Sequence, residues 1–242
     1  MSNKTLALVL AAGEGSRVKC FLNDDEPVKA MIKLGEKRLI DRVLDSLDEI
    51  EAEKAVLSYP SIEYESLDKR VKERGVKVLK QSTKQRILPN LFQLPWILIT
   101  QYYFSDDREY LKSFDSIMTL PCDIVIDGNE VNSILKFHEY NLMHPSQIQI
   151  TILSRYGPYE GGNAAVFKMD GYRIVGVKSH SYHTKGYEVS TQAGIFVFSK
   201  GVLNPISSNI SGFKVLRYLT EAHWTDYGNP KTLEKLANNK PF

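Results

Sequence analysis

Val9-Leu10-Ala11-Ala12-Gly13-Glu14-Gly15-Ser16-Arg17 joins an apolar run to a glycine-bearing turn that ends in a cation. Leu6 to Ala11 read as a buried parallel strand, because a short continuous apolar run closed by a turn signal is how a strand covered on both faces looks. Gly13 and Gly15 allow backbone conformations and close approaches that a side chain would forbid, so successive N–H groups can point into one concavity and hold anionic oxygens. Arg17 adds a planar donor fork that suits phosphate. Leu10, Ala11, Ala12, Gly13, Glu14, Gly15 and Ser16 are therefore the candidate phosphate-binding turn, with an ordinary structural loop as the competing reading. Two other phosphate motifs are excluded. A dinucleotide fingerprint needs a third glycine where Val18 stands, and no Gly-x-x-x-x-Gly-Lys-Ser/Thr string occurs in the chain.

The next informative stretch is Pro27-Val28-Lys29-Ala30-Met31-Ile32-Lys33-Leu34-Gly35-Glu36-Lys37-Arg38-Leu39-Ile40-Asp41-Arg42-Val43-Leu44. Here the chain resembles the nucleotidyltransferases that activate sugar phosphates. Their N-terminal signature is a strand, Leu-Ala-Ala-Gly-x-Gly-Thr/Ser-Arg, a variable loop, a Lys, and then a short turn before a helix. The match runs without a gap from Lys29 to Val43. Ser16 keeps the hydroxyl of the family's usual Thr, while Val28 and Ala30 replace prolines that often flank the Lys. The resemblance implies that Arg17 and Lys29 are the catalytic cations.

Composition agrees with an enzyme of this kind. At 242 residues and 43% hydrophobic content the chain can bury a sizeable core, and one domain is the expectation for an α/β protein of this length. The formal charge of +2 is too small for a basic nucleic-acid face, and the densest basic stretch, Lys69-Arg70-Val71-Lys72-Glu73-Arg74, reads as the solvated face of a helix. Two cysteines, Cys20 and Cys122, are too few for a disulfide framework or a zinc site, which points to a reducing cytosol. The apolar start is too short for a signal peptide or a membrane span, so no membrane association is expected.

Along the chain, strand and helix patterns alternate, as in a parallel sheet with crossover helices. Leu39 to Leu47 form an amphipathic helix. Lys54 to Ser58 read as a strand, Ser61 to Arg74 as a helix capped by Ser61, and Val76 to Leu79 as a third strand. Ser116 to Leu120 make a central strand and Glu130 to Tyr140 the next helix. From Gln147 the period becomes alternating, over Ile148 to Leu153, Ala164 to Lys168, Tyr172 to Lys178 and Gly194 to Phe198, which predicts a mixed, partly antiparallel extension of the sheet. The expected fold is an α/β, Rossmann-like three-layer sandwich with a mixed, mostly parallel central sheet, of the nucleotide-diphospho-sugar transferase type. The resemblance implies that residues 1–145 are the nucleotide-binding half and residues 146–242 the acceptor-binding half of a single domain.

Two carboxylates complete the pattern. Thr119-Leu120-Pro121-Cys122-Asp123 ends the central strand, and ligands in open α/β sheets sit beyond such strand ends. Trp224-Thr225-Asp226-Tyr227-Gly228-Asn229-Pro230 precedes a helical pattern from Lys231 to Ala237 and resembles the family's Trp-x-Asp-Ile/Val-Gly-Thr-Pro segment. The resemblance implies that Asp123 and Asp226 ligate Mg²⁺, a hard cation that shares its sphere with substrate phosphates. A turn-forming Asp remains the bland reading of Asp123, and Asp127, before Gly128, is assigned to structure.

The activity implied is condensation of a nucleoside triphosphate with a phosphorylated acceptor, a sugar 1-phosphate, to give a nucleotide sugar and pyrophosphate. Gln192-Ala193-Gly194-Ile195-Phe196 stands where the family has Asn-Ala-Gly-Ile-Tyr, so Gln192 and Gly194 are acceptor candidates. Lys178 either serves the acceptor phosphate or is a solvated strand-end Lys. A family Gly-Thr-Ala segment is missing, and Gln81 stands in that region as a candidate reader of the base. The shortened segment keeps open a cytidylyltransferase for a small non-sugar phosphate such as phosphocholine, and the altered acceptor motifs keep open a catalytically weak regulatory nucleotide-binding protein. A glycosyltransferase would need Asp-x-Asp after the central strand, and Cys122-Asp123-Ile124-Val125 does not supply it. His180-Ser181-Tyr182-His183 lacks zinc partners, and there is no Gly-x-Ser-x-Gly elbow.

Overall fold

A computed structural model describes residues 3–13, 15–22, 27–81, 106–142, 147–156, 164–179, 188–203 and 214–238. Its strands are β1 (Thr5–Leu10), β2 (Lys33–Leu34), β3 (Lys37–Arg38), β4 (Glu53–Ser58), β5 (Lys77–Lys80), β6 (Ser116–Pro121), β7 (Ile124–Val125), β8 (Gln149–Tyr156), β9 (Ala164–Asp170), β10 (Arg173–Ser179), β11 (Glu188–Ser199), β12 (Lys214–Leu219) and β13 (Thr225–Asp226). The α-helices are α1 (Leu39–Ser46), α2 (Glu65–Glu73), α3 (Arg108–Lys112), α4 (Gly128–Asn141) and α5 (Pro230–Asn238).

Nine strands form one sheet in the order β5-β4-β1-β6-β11-β8-β12-β10-β9. β5, β4, β1 and β6 pair in parallel, and only β11 and β10 run against the common direction. The expected mixed, mostly parallel sheet is therefore present. β1 lies between β4 and β6 and is covered on both faces, which explains its unbroken apolar run. Ala7 and Val9 join a core with Val43, Leu44, Leu67, Val71, Val131 and Ile134 from α1, α2 and α4. Leu6 and Leu8 face the other side, against Leu111, Phe114, Phe196 and Phe198.

The structure corrects several boundaries. The helix expected over Ser61 to Arg74 is a 3₁₀ turn, Ile62–Tyr64, followed by α2, and the Ser61 hydroxyl caps that turn by accepting from the Glu63 N–H at 3.3 Å. The alternating patterns of the second half extend to β8, β9, β10 and the long β11, as expected. β12 has no counterpart among the expected strands. It inserts between β8 and β10, parallel to β8, and its mixed sequence includes Arg217, buried at 6% exposure. Asp127 is structural as assigned: it caps α4 by accepting from the Asn129 N–H at 2.8 Å.

α4 packs on β8 through polar groups as well as apolar ones. His138 is fully buried, with Nδ1 2.8 Å from Thr151 Oγ1, and Gln149 donates its amide N–H to the His138 carbonyl at 2.7 Å. Burial, aided by the charge of Lys214, pushes the imidazole down to about 3. The unfolded chain, with a His near 6.5, binds the extra proton between these values, so this contribution is complete above pH 6.5 and is lost as pH falls towards 3. At pH 5 the loss from this residue is about 2 kcal/mol. Urea denaturation at pH 7 and pH 5 should show a steeper stability loss for the wild type than for His138→Gln, and equal slopes would refute the assignment.

Candidate active site

Asp123 stands just past β6, at the C-terminal edge of the parallel strands. The edge is stitched together by backbone: Ala11 N–H donates to the Leu57 carbonyl at 2.9 Å and Cys122 N–H to the Leu10 carbonyl at 3.2 Å. Lys29 opens a 3₁₀ turn, Lys29–Met31, that is held from below. Arg38 donates to the Met31 carbonyl at 3.0 Å, and the Leu39 N–H donates to the Ile32 carbonyl at 2.9 Å. Lys29 Nζ lies 2.6 Å from Asp123 Oδ2, with the two side chains 14% and 7% exposed. Burial pulls the Lys29 pKa down, but the fields of Cys122 and Asp123 and the hydrogen bond to Asp123 outweigh it, and the net shift is upward. Burial pushes the Cys122 thiol up to about 12.

The second carboxylate reaches the first by pairing across about a hundred residues. β13 pairs antiparallel with β7, Asp226 opposite Ile124, and the Tyr227 N–H donates to the Asp123 carbonyl at 2.8 Å. Gly228 N–H donates to Asp226 Oδ1 at 2.8 Å. Burial and then the negative charge of Asp123 raise the Asp226 pKa, opposed by the Gly228 N–H, Arg17 and Lys29. Two carboxylates in one site thus repel each other and favour a cation between them. A Cβ on Gly228 would overlap the Asp123 carboxylate and stand 3.0 Å from Asp226 Oδ1, so this glycine is a space requirement. Sequence reasoning shows Gly228 only as part of a motif. Among the described residues no group of three or more His, Cys, Asp or Glu converges, and the donor set is these two carboxylates. That set suits Mg²⁺, which needs only one or two protein carboxylates when phosphates and water fill its sphere.

The remaining expected residues divide. Gly15 adopts φ 65°, and a Cβ there would come within 2.9 Å of Lys29 Cβ, so it must be glycine on two counts. Gly13 shows no positive φ, and no atom of a described residue lies within 4 Å of where its Cβ would stand. Leu10 ends β1 opposite Leu57 and Pro121, Ala11 is buried, Ala12 is half-buried, and Ser16 and Arg17 are exposed on the 3₁₀ segment Ser16–Phe21. Glu14 lies outside the described residues. Val18 of that segment packs with Leu233 of α5, so the helix after Asp226 closes over the segment that carries Arg17. Pro230 opens α5 and the Asn229 side chain accepts from the Lys231 N–H at 3.1 Å, as the Asn-Pro pair suggests.

Gln81 follows β5 at the same sheet edge, its N–H donating to the Ser58 carbonyl at 2.8 Å. Gln192 pairs with Ser154 on β8, before an irregularity in β11. Gly194 sits in that irregularity with φ 71°, and its Cβ would come within 3.0 Å of Pro121 Cγ. Gly194 is thus next to the strand end that carries Asp123, where its own lack of a side chain is a packing requirement. Lys178 lies on β10 opposite Val166, separated from β6 by β11, β8 and β12. Two further features escape a reading of the sequence. Arg155 stacks over Trp224, 4.9 Å from the ring centroid, bracing the segment that leads into Asp226. The Tyr64 hydroxyl reaches the carbonyls of Ala12 and Gly13.

A glycine turn, an ammonium–carboxylate pair and a second carboxylate stand together at the C-terminal edge of the parallel part of an α/β sheet. Residues 7–146 match the model of the MobA-like NTP transferase domain, and the chain belongs to this family. The match contains the turn, Lys29 and Asp123, while Asp226 lies beyond it. Comparison with curated proteins gives no match. Among solved structures, the chain is similar to mannose-1-phosphate geranyltransferase from Thermus thermophilus, at TM-score 0.67 and 17% identity over 98% of this chain and 80% of that one. A putative glucose-1-phosphate thymidylyltransferase from Bacillus anthracis gives TM-score 0.65 and 12% identity, over 98% and 97% of the two chains. The inositol-1-phosphate CTP transferase from T. maritima gives 0.63 and 17%, over 100% and 99%. At these identities the likeness establishes the shared fold. Among the described residues no helix is long and apolar enough to cross a membrane.

Proposed function

We propose that this protein is a Mg²⁺-dependent nucleotidyltransferase that joins a nucleoside triphosphate to a sugar 1-phosphate. The observation that carries this reading is the convergence of Lys29, Asp123 and Asp226 beside the Gly13 to Ser16 turn. A phosphate oxygen of the acceptor attacks the α-phosphorus, the bond to the β-phosphate oxygen breaks, and pyrophosphate leaves. No covalent enzyme intermediate is needed, so the protein's part is positioning and neutralising charge. Backbone N–H groups of the turn, with Arg17, hold the leaving phosphates, and the Lys29 ammonium neutralises charge at the α-phosphate or the acceptor phosphate. Held by Asp123 and Asp226, Mg²⁺ would supply further charge neutralisation and orient the reacting phosphates. Residues 1–145 bind the nucleotide, with Gln81 near the base, and residues 146–242 bind the acceptor through Gln192, Gly194 and Lys178.

A second reading is cytidylyl transfer to a small alcohol phosphate. The likeness to a structure named as an inositol-1-phosphate CTP transferase favours it. One experiment separates these: pyrophosphate release measured for ATP, CTP, GTP, UTP and dTTP against a panel of sugar 1-phosphates and alcohol phosphates. Release should require both substrates and Mg²⁺ and stop on chelation. Triphosphate binding without pyrophosphate release for any acceptor would instead identify a regulatory nucleotide-binding protein.

A further inference from the structure

The segment after β4 is built as a support for the glycine turn. Ser61 N–H donates to the Tyr59 carbonyl at 2.9 Å and Tyr64 N–H to the Ser61 carbonyl at 3.0 Å, winding the segment tightly. Lys80 anchors it from β5: its ammonium donates to the Tyr59 carbonyl at 3.4 Å and to Asp68, whose other oxygen accepts from the Ser58 hydroxyl at 2.7 Å. The Tyr64 ring is 5% exposed, packs in the core with Leu67 and Val71, and lies 5.9 Å from the Tyr59 ring at a 56° tilt. From this fixed base the phenol oxygen stands 3.3 Å from both the Ala12 and the Gly13 carbonyl oxygens, within reach of its O–H.

The consequence follows from peptide geometry. In a planar trans peptide the C=O and N–H point in opposite directions. A hydroxyl that draws the Ala12 carbonyl inward therefore turns the Gly13 N–H outward, away from the core that holds the Tyr64 ring. We propose that Tyr64 is a positioning residue for the triphosphate: its hydroxyl holds the Ala12 and Gly13 carbonyls on the protein side and so aims the Gly13 N–H at a phosphate oxygen. This rests on the nucleotidyltransferase reading of the site.

Tyr64→Phe tests it, since the ring and its packing remain and only the hydroxyl goes. With the best triphosphate of the panel, KM for that nucleotide should rise about five- to tenfold, the worth of a hydrogen bond or slightly more. KM for the acceptor should be unchanged, and Tm should stay within about 4 °C of wild type. An unchanged nucleotide KM, or an equal rise in the acceptor KM, would overturn the proposal while leaving the function intact. A wild-type protein that neither binds nor turns over any of the five triphosphates would overturn the reading of the site, and the proposal with it.

Discussion

Lys29→Met should lose both activity and stability, and restoring one should not restore the other. Its ammonium sits on an Asp123 carboxylate whose side chain is only 7% exposed. Removing one partner of such a pair leaves a charge out of water, with a cost on the order of 3 kcal/mol, or about 6 to 12 °C in Tm. Turnover should fall by at least about 100-fold, the scale seen when a group that stabilises transition-state charge is lost. In the double variant Lys29→Met/Asp123→Asn no uncompensated charge remains, so Tm should recover most of the way. Activity should not recover, because both the cation and the carboxylate are then missing. Calorimetry and pyrophosphate release on the three proteins distinguish a catalytic pair from a structural one: a double variant with restored activity would refute the catalytic assignment.

Gly228→Ala should cost most of the activity. Its Cβ would fall on Asp123 Oδ2, the same oxygen that accepts from Lys29, and would crowd Asp226. Either Asp123 leaves Lys29 or the whole segment from Trp224 shifts. In both cases the two carboxylates lose their relative position, and a displacement of about 1 Å is enough to cost on the order of 100-fold in rate. Stability should fall less than in Lys29→Met, because the ends of the segment remain anchored by β13 pairing and by α5. Near wild-type turnover for Gly228→Ala would show that the site does not need the two carboxylates as they stand.

Much of the fold and site is legible locally. β1 announces itself because burial on both faces leaves no polar position to interrupt the run, and Gly15 because its backbone needs a conformation that side chains resist. The single helix expected over Ser61 to Arg74 fails for a local reason too. Ser61 is a true cap, but of a short 3₁₀ turn that brings Tyr64 under the glycine loop, a role visible only once β1 and β4 are adjacent. β12 gives little signal, since a strand of mixed sequence that buries an arginine breaks the alternation on which such readings depend.

The chemistry available is written in short segments: a strand ending in a phosphate-type turn, an ammonium, and two carboxylates in a set order. Side-chain identity and backbone preference act over a few residues, so each of these can be read without its neighbours in space. Folding adds the relations among them. Lys29 neutralises Asp123, Asp226 reaches it through pairing with Ile124, Gly228 must be bare, and Gly15 is pressed against Lys29. These relations join positions up to about a hundred residues apart. They exist because sheet register and core packing bring strand ends together, and neither is encoded in any one segment.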